Sequence, residues 1–201
     1  MEDTYKTILA PVHGQFKDKG SRFIAKAYPV ESVEEVKEIL ASLRKEYHDA
    51  RHHCYAYRLG PGDASYRVND DGEPANSAGK PILGQIQLHD LTNILIVVIR
   101  YFGGILLGVG GLINAYRSAA KESLEHATII DKTFNCQIII LFQYPAMNDV
   151  MRIIKEFKAE IIRQESGIDC KMIIQIREGA SEALLYQLNR IETVEAQIDP
   201  L

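Results

Sequence analysis

Three carboxylates lie within four positions, Asp70, Asp71 and Glu73, in the polar loop NDDGEPANSAGKP. Acids this close together could hold a divalent cation or work as a general acid/base pair. The loop is not an EF-hand, because the alternating acids and the distant glutamate of that motif are missing. The alternative is an exposed acidic turn built on Asp-Gly and Glu-Pro, in which the carboxylates have no chemical role.

A glycine-rich segment, RYFGGILLGVGG, follows the apolar run NILIVVI and precedes a helical pattern. The dinucleotide motif fails at position 113, which is Ile, and the P-loop motif fails because it lacks its Lys and Ser/Thr. What remains is a helix start whose free N–H groups bind an anion at Gly110 and Gly111, with Arg100 adding charge. The alternative is that these glycines only allow the helix to pack closely on the sheet.

Two further segments contain clustered cations. In the first the cations lie among aromatic residues, and in the second they lie close to one another in sequence. In RHHCYAYR, the alternation of a strand puts His53 and Tyr55 on one face, and Arg58 follows, a mixture suited to stacking and phosphate contact. In HGQFKDKGSRFIAK, a loop-like start leads to Lys17, Lys19 and Arg22, which suit contact with a phosphate backbone. A half-exposed strand edge and a solvated hairpin are the respective alternatives.

The bulk composition excludes several classes of protein. The chain has 201 residues, 46% of them hydrophobic, and a formal net charge of −4, so it lacks the overall basic character of a dedicated nucleic-acid-binding protein. No apolar run is long enough for a membrane span, and the N-terminus does not have the pattern of a secretory signal. Three scattered cysteines predict neither a disulfide framework nor a zinc site, and they favour a reduced cytoplasmic setting. We expect no metal and no cofactor.

The order of predicted elements divides the chain into two domains, residues 1–130 and 131–201. In the first, strands are predicted at 21–30, 53–59 and 64–69, a capped helix at 32–47, a short helix with Ser77 near its cap, and a central strand at 93–99. Gly110 or Gly111 is expected to open the last helix of this half. The second domain has the strand and helix order βαββαβ of a ferredoxin-like unit.

Taken together, four motifs resemble the successive signature blocks of the Impact family: KGSRFIAKAYPV, HHCYAYRLG, DDGEPANSAGKPIL and VVIRYFGGILLGVGGLINAYRSAA. The resemblance implies an α+β protein of two domains. The first would be an α/β sandwich like domain 2 of a small-subunit ribosomal protein, and the second would be a ferredoxin-like domain similar to those of elongation factor G. One departure is Asn76-Ser77, where the family usually has Gly-Thr.

The resemblance implies no catalytic residue, and for eukaryotic members it implies regulation of translation through a protein partner. We therefore expect a non-catalytic protein that binds RNA, the ribosome or a protein of the translation machinery, and no membrane. One alternative is a small hydrolase-like enzyme that acts on a phosphorylated or peptide-like substrate through the three acids and His53. The other alternative is a pure protein-interaction module.

Overall fold

The computed structural model describes residues 3–61 and 65–199. The turn predicted at 60–63 and the strand start predicted at residue 64 fall partly outside these residues. The strands are β1 Thr4–Ile8, β2 Val12–Asp18, β3 Ser21–Pro29, β4 His52–Arg58, β5 Tyr66–Asn69, β6 Ile94–Tyr101, β7 Ile129–Thr133, β8 Asn135–Gln143, β9 Glu160–Glu165, β10 Asp169–Arg177 and β11 Val194–Ile198. The α-helices are α1 Val33–Glu46, α2 Gly79–Leu88, α3 Gly108–Glu125, α4 Met147–Glu156 and α5 Glu178–Leu188.

The chain forms two compact units. The larger spans Tyr5–Lys132, and the smaller contains the described residues from Thr133 onward together with Asp3 and Thr4. The protein is therefore a two-unit α+β fold, which is the predicted fold class. No helix within the described ranges is both long and apolar enough to cross a bilayer.

The larger unit is built on a five-stranded sheet with the order β2-β3-β6-β4-β5, in which neighbouring strands are antiparallel. Strand β6 is central, as its apolar sequence predicted, and its residues from Ile94 to Arg100 are all buried. One face of the sheet packs with α1 around Tyr55, Tyr57 and Leu95. The other face packs with α2 and α3 around Cys54, Ile96 and Tyr116. Both faces of the sheet are therefore covered.

The smaller unit has four antiparallel strands in the order β11-β8-β10-β9, with α4 and α5 in the connections. Alternate residues of β8 and β10, such as Ile138, Ile140, Met172 and Ile174, point into its core. This is the βαββαβ arrangement that the sequence predicted.

Strand β2 was not predicted as a strand, because Gly14 suggested a loop. The glycine has a packing reason: an added Cβ would overlap the backbone of α3 at Ser123. Glycine inside a strand often marks such a close backbone approach. Two short strands, β1 and β7, also escaped prediction; they pair with each other, and Lys6 of β1 also forms a parallel bridge with Leu91.

Of the two helix caps predicted from the sequence, the one at Ser32 is confirmed and the one at Ser77 is wrong. Ser32 caps α1 by accepting from the backbone N–H of Glu35 at 3.2 Å, as its sequence predicted. Ser77 does not cap α2, because its hydroxyl donates to the carbonyl of Pro74 at 2.6 Å. The cap of α2 comes from Asp70, in the loop before the helix.

We expect residues 131–201 to fold without the rest of the chain, because their apolar core is complete within them. The expressed fragment should unfold cooperatively in urea and give a dispersed amide spectrum. A collapsed amide spectrum in native buffer would contradict this independence.

Candidate functional site

The acidic loop follows β5 and forms a tight turn. The N–H of Glu73 donates to the carbonyl of Asp70 at 2.9 Å. Asp71 and Gly72 both have positive φ, of 42° and 85°. This is the geometry of a type I′ turn, for which Asp-Gly is a preferred pair. The turn directs the three carboxylates to different partners inside the protein.

Glu73 is buried and paired. Its Oε1 accepts from Arg100 Nη1 at 2.6 Å and from the Tyr116 hydroxyl at 2.7 Å. Only 4% of the Glu73 side chain and 8% of the Arg100 side chain are exposed. The Arg100 guanidinium also lies 5.5 Å from the ring centre of Phe23 and 5.7 Å from that of Phe102. Arg100, which was expected to help bind an anion at the glycine loop, therefore already has a buried counter-ion in Glu73.

Asp70 holds the start of α2. Its carboxylate accepts from the backbone N–H groups of Asn76, Ala78 and Gly79 at 2.7, 3.0 and 2.8 Å. These donors would otherwise lack intrahelical partners at the start of a helix. A carboxylate in this position is also favoured by the helix dipole.

Asp71 joins the loop to β4 and α1. Its Oδ2 accepts from the backbone N–H of His53 at 2.7 Å, and its Oδ1 lies 3.4 Å from Nη2 of Arg44. The carbonyl of Asp71 lies 2.8 Å from Nδ1 of His52. All three acids of the loop thus have partners within the larger unit. Among residues 3–61 and 65–199, no group of three or more His, Cys, Asp or Glu side chains could hold a metal ion.

Cys54 and Tyr116 extend the buried network. The Cys54 thiol lies 3.3 Å from the Tyr116 hydroxyl and 3.0 Å from the carbonyl of Asp70. Burial raises the pKa of Cys54 and of Tyr116 far above their ordinary values. The thiol is therefore held in its protonated, unreactive form. Sequence reasoning missed Tyr116, because a tyrosine on a helix gives no sign of a partner in a distant loop.

The strand segment HHCYAYR is largely core. His53 and Tyr55 are 5% and 7% exposed and face α1, so neither ring is available for base stacking. Tyr55 instead stacks on Tyr57, with 6.4 Å between ring centres. Arg58 is directed to Asp90, at 3.5 Å, and to the carbonyl of Leu91. The predicted alternation of faces holds, but the face that was expected to bind a ligand is covered by a helix.

The glycines of the loop after β6 have separable roles. An added Cβ at Gly103 would overlap the backbone of Gly20, so this glycine is required where two loops meet. At Gly110 an added Cβ would meet nothing within 4 Å. Helix α3 begins at Gly108, earlier than the predicted start at Gly110 or Gly111. Because Gly108 has a φ of 71°, regular helical backbone begins only at Val109. Gly110 and Gly111 consequently lie in the first turn, where N–H groups lack intrahelical acceptors.

The basic hairpin differs from the other segments because its cations are exposed. Strands β2 and β3 pair antiparallel, which places Lys17 opposite Arg22, and β6 places Tyr101 opposite Arg22. The Arg22 guanidinium lies 4.7 Å from the ring centre of Tyr101. Lys19 stands in the turn with a φ of 43°. We call Lys17, Lys19, Arg22 and Tyr101 the basic hairpin surface.

The fold and the buried network define a two-unit α+β protein whose larger unit matches the Impact N-terminal domain over residues 19–124. The chain is 37% identical over 158 residues to the IMPACT family member YigZ of Escherichia coli, with 78% of each chain covered. It is 34% identical over 172 residues to an IMPACT family member of Haemophilus influenzae, covering 85% of this chain and 84% of that protein.

A solved structure gives the same result. The crystal structure of a hypothetical protein matches the whole chain with a TM-score of 0.75 and 30% identity, and the match covers all of both chains. Protein IMPACT of Xenopus laevis is 37% identical over 121 residues, which are 57% of this chain and 38% of that protein. This chain belongs to the Impact family.

The Glu73 and Arg100 pair generates a prediction about stability. Glu73→Gln should lower the free energy of unfolding by about 3–5 kcal/mol, because the Arg100 charge stays buried without its counter-ion. Urea unfolding followed by circular dichroism measures the change. The matched control is Glu46→Gln, which breaks the pair between the exposed Glu46 and the half-buried Lys26 and should cost about 1 kcal/mol or less. Equal costs for the two variants would contradict the role assigned to the buried pair.

His53 generates a prediction about pH. Burial lowers the pKa of His53 below its ordinary 6.5, and the nearby Asp71 carboxylate only partly opposes this shift. The unfolded chain therefore binds a proton at His53 at a higher pH than the folded chain does. The contribution of His53 is fully present above pH 6.5 and is lost as the pH falls towards the folded pKa.

The free energy of unfolding should consequently fall between pH 7.5 and pH 5.5, and it should fall less in His53→Gln. The exposed His48→Gln variant serves as the matched control and should keep the parental pH dependence. An identical slope in the parent and in His53→Gln would show that His53 is not the titrating group.

Proposed function

We propose that this protein binds RNA, as a free strand or as part of the ribosome, through the basic hairpin surface, and that it acts as a non-catalytic regulator of translation. The observation that carries the proposal is the inward engagement of the acidic loop. Asp70, Asp71 and Glu73 would repel a phosphate backbone if they were exposed beside the cations. Their carboxylates instead accept hydrogen bonds from protein donors.

The basic hairpin surface suits a strand of nucleic acid. Lys17, Lys19 and Arg22 are exposed, and none of them has an ion pair within the described parts of the chain. One exposed carboxylate, that of Asp49, accepts from the Tyr101 hydroxyl at 2.7 Å beside Arg22. Cations close to an aromatic ring are the combination that single-stranded nucleic-acid sites use, the cations contacting phosphates and the ring stacking on a base. Phe102, which is 54% exposed, follows Tyr101 directly and adds a second ring.

The first turn of α3 supplies a further phosphate contact in this proposal. The glycine loop lies against the tip of the hairpin, since Gly103 meets Gly20. A Cβ added at Gly110 would meet nothing within 4 Å and one at Gly111 only Leu107, and no acidic residue stands in the first turn. Membership of the Impact family supports a role in translation, which is the function that the resemblance implies for eukaryotic members.

The enzyme alternative draws less support from the geometry. A general acid/base pair must reach a substrate, and the three carboxylates are each occupied by two or more protein contacts. His53 is buried among the residues that pack against α1. Asp71→Asn should therefore destabilise the fold by weakening the contact with the His53 N–H, and it should not strengthen RNA binding.

The test is a salt-titrated binding assay with single-stranded RNA and with purified ribosomes. We expect dissociation constants of roughly 10⁻⁴–10⁻⁶ M near physiological salt, with affinity falling steeply as salt rises. Changing Lys17, Lys19 and Arg22 together to Ala should reduce the slope of log K against log salt by about 2 units, since each phosphate contact on a single strand contributes about 0.7.

The matched control changes three exposed lysines elsewhere to Ala: Lys37, Lys45 and Lys155. It removes the same charge and should leave most of the slope in place. Amide NMR on the parent should also show RNA-induced shifts at Gly110 and Gly111. If the parent neither binds RNA nor co-sediments with ribosomes at low salt, the proposal fails and a protein partner of the translation machinery becomes the better assignment.

A further inference from the structure

A groove of about 460 Å³ lies between α2 and α3, on the face of the sheet opposite α1. Its volume is similar to that of small-molecule sites, although the groove is open to solvent rather than enclosed. Along α2 it is lined by Lys80, Gly84 and Leu88, which are spaced four residues apart and so share one stripe of the helix. Along α3 it is lined by Ile113 and Arg117, which have the same spacing.

The charge of the groove is entirely positive. Lys80 and Arg117 are exposed, and neither makes an ion pair or a hydrogen bond to any part of the chain that the structure describes. No acidic residue contributes to the lining. Two free cations on facing helices favour a ligand that carries an anionic group between them.

Gln85 gives the groove a second, independent polar feature. Gln85 lines the groove and is only 6% exposed. Its side-chain Oε1 is buried and, within the described ranges, has no hydrogen-bond partner. A buried acceptor left without a donor is costly, so such groups usually find a partner in the functional state of a protein. A ligand N–H would supply that partner if the Gln85 side chain turned its shielded Oε1 towards the groove.

The absence of a side chain at Gly84 helps to keep the groove between α2 and α3 open. A Cβ built at Gly84 would meet nothing within 4 Å, so packing does not require glycine here. Its φ is not in the left-handed region, and glycine lowers the stability of a helix interior relative to other residues. A glycine that neither packing nor backbone conformation requires is explained if the groove must stay open beside Leu88 and Ile113.

We propose that this groove binds a nucleoside monophosphate, either free or as one unit of an RNA strand. The phosphate lies between Lys80 and Arg117, and the base packs on Leu88 and Ile113. An N–H of the base donates to Oε1 of Gln85 once the Gln85 side chain, whose Oε1 is shielded from solvent here, turns towards the groove. This site is separate from the basic hairpin surface, and it stands whether or not that surface binds RNA.

The experiment titrates AMP and UMP into the full-length protein and follows binding by calorimetry and amide NMR. Saturable binding is expected with a dissociation constant between about 1 µM and 1 mM, the range open to a ligand of this size. Adenosine and inorganic phosphate, each lacking half of the ligand, should bind more weakly. Six-nucleotide oligo(A) and oligo(U) form a parallel arm that separates a strand ligand from a free nucleotide.

The variants address the groove itself. Changing Lys80 and Arg117 together to Ala should weaken AMP binding by about tenfold or more. Gly84→Leu should fill the groove and abolish binding, while its melting temperature stays at or above the parental value. Lys37→Ala, an exposed lysine on α1, is the control and should bind as the parent does. The triple Ala variant of the basic hairpin surface should also keep full AMP binding, which separates a failure here from a failure there.

Three outcomes overturn the proposal. The first is the absence of saturable binding by AMP, UMP and both oligonucleotides. The second is adenosine or inorganic phosphate binding as tightly as the nucleotide. The third is a folded Gly84→Leu variant that binds as well as the parent. Binding of the oligonucleotides alone, if Gly84→Leu abolishes it, supports the site and identifies its ligand as a strand.

Discussion

The buried contact of Glu73 with Arg100 is the interaction on which the larger unit depends most. It joins a loop residue to the end of the central strand, and the Tyr116 hydroxyl brings α3 to the same carboxylate oxygen. Removing two charges from water is costly, and the attraction between them offsets that cost only when the geometry is good. The 2.6 Å separation and the added hydroxyl donor favour the pair, whereas the buried Nε of Arg100 has no hydrogen-bond partner among the described residues. Losing one partner costs far more than the pair contributes, so the pair strongly favours this position of the loop.

Fixing Glu73 also fixes the two acids before it, because the turn between them is tight. Asp70 is then placed where α2 starts, and Asp71 where β4 starts. One loop therefore sets the start of a helix, the start of a strand and, through α2, one wall of the groove beside α3. The same arrangement directs the negative charge of this loop into the protein, while the cations of the hairpin remain exposed at the same end of the strands. The acidic loop, whose sequence suggested a reactive site, therefore has a mainly structural role.

The sequence predicted those features that depend on neighbouring residues. The apolar run of β6, the capped helix after Ser32 and the βαββαβ order all follow from local periodicity. It could not predict contacts across long separations, such as Asp70 with Ala78 and Gly79, or Glu73 with Arg100 twenty-seven residues later. Burial of His53 and Tyr55 was equally hidden, because strand alternation defines two faces but not which helix covers each. Gly14 misled for the same reason, since its neighbour in α3 is more than 100 residues away.

Gly103 and Gly20 join the loop before α3 to the basic hairpin surface that we propose for RNA binding. Gly103 meets Gly20 without room for a Cβ, so the tip of the hairpin and the loop before α3 are held against each other. Ser21 adds to this contact, because its hydroxyl accepts from the N–H of Gly103 at 3.1 Å. Arg100 stands three residues earlier, fixed by Glu73. The backbone of the hairpin tip and that of the loop before α3 are therefore held against each other, and in our proposal this fixed backbone lowers the cost of ordering a phosphate-bearing ligand on binding.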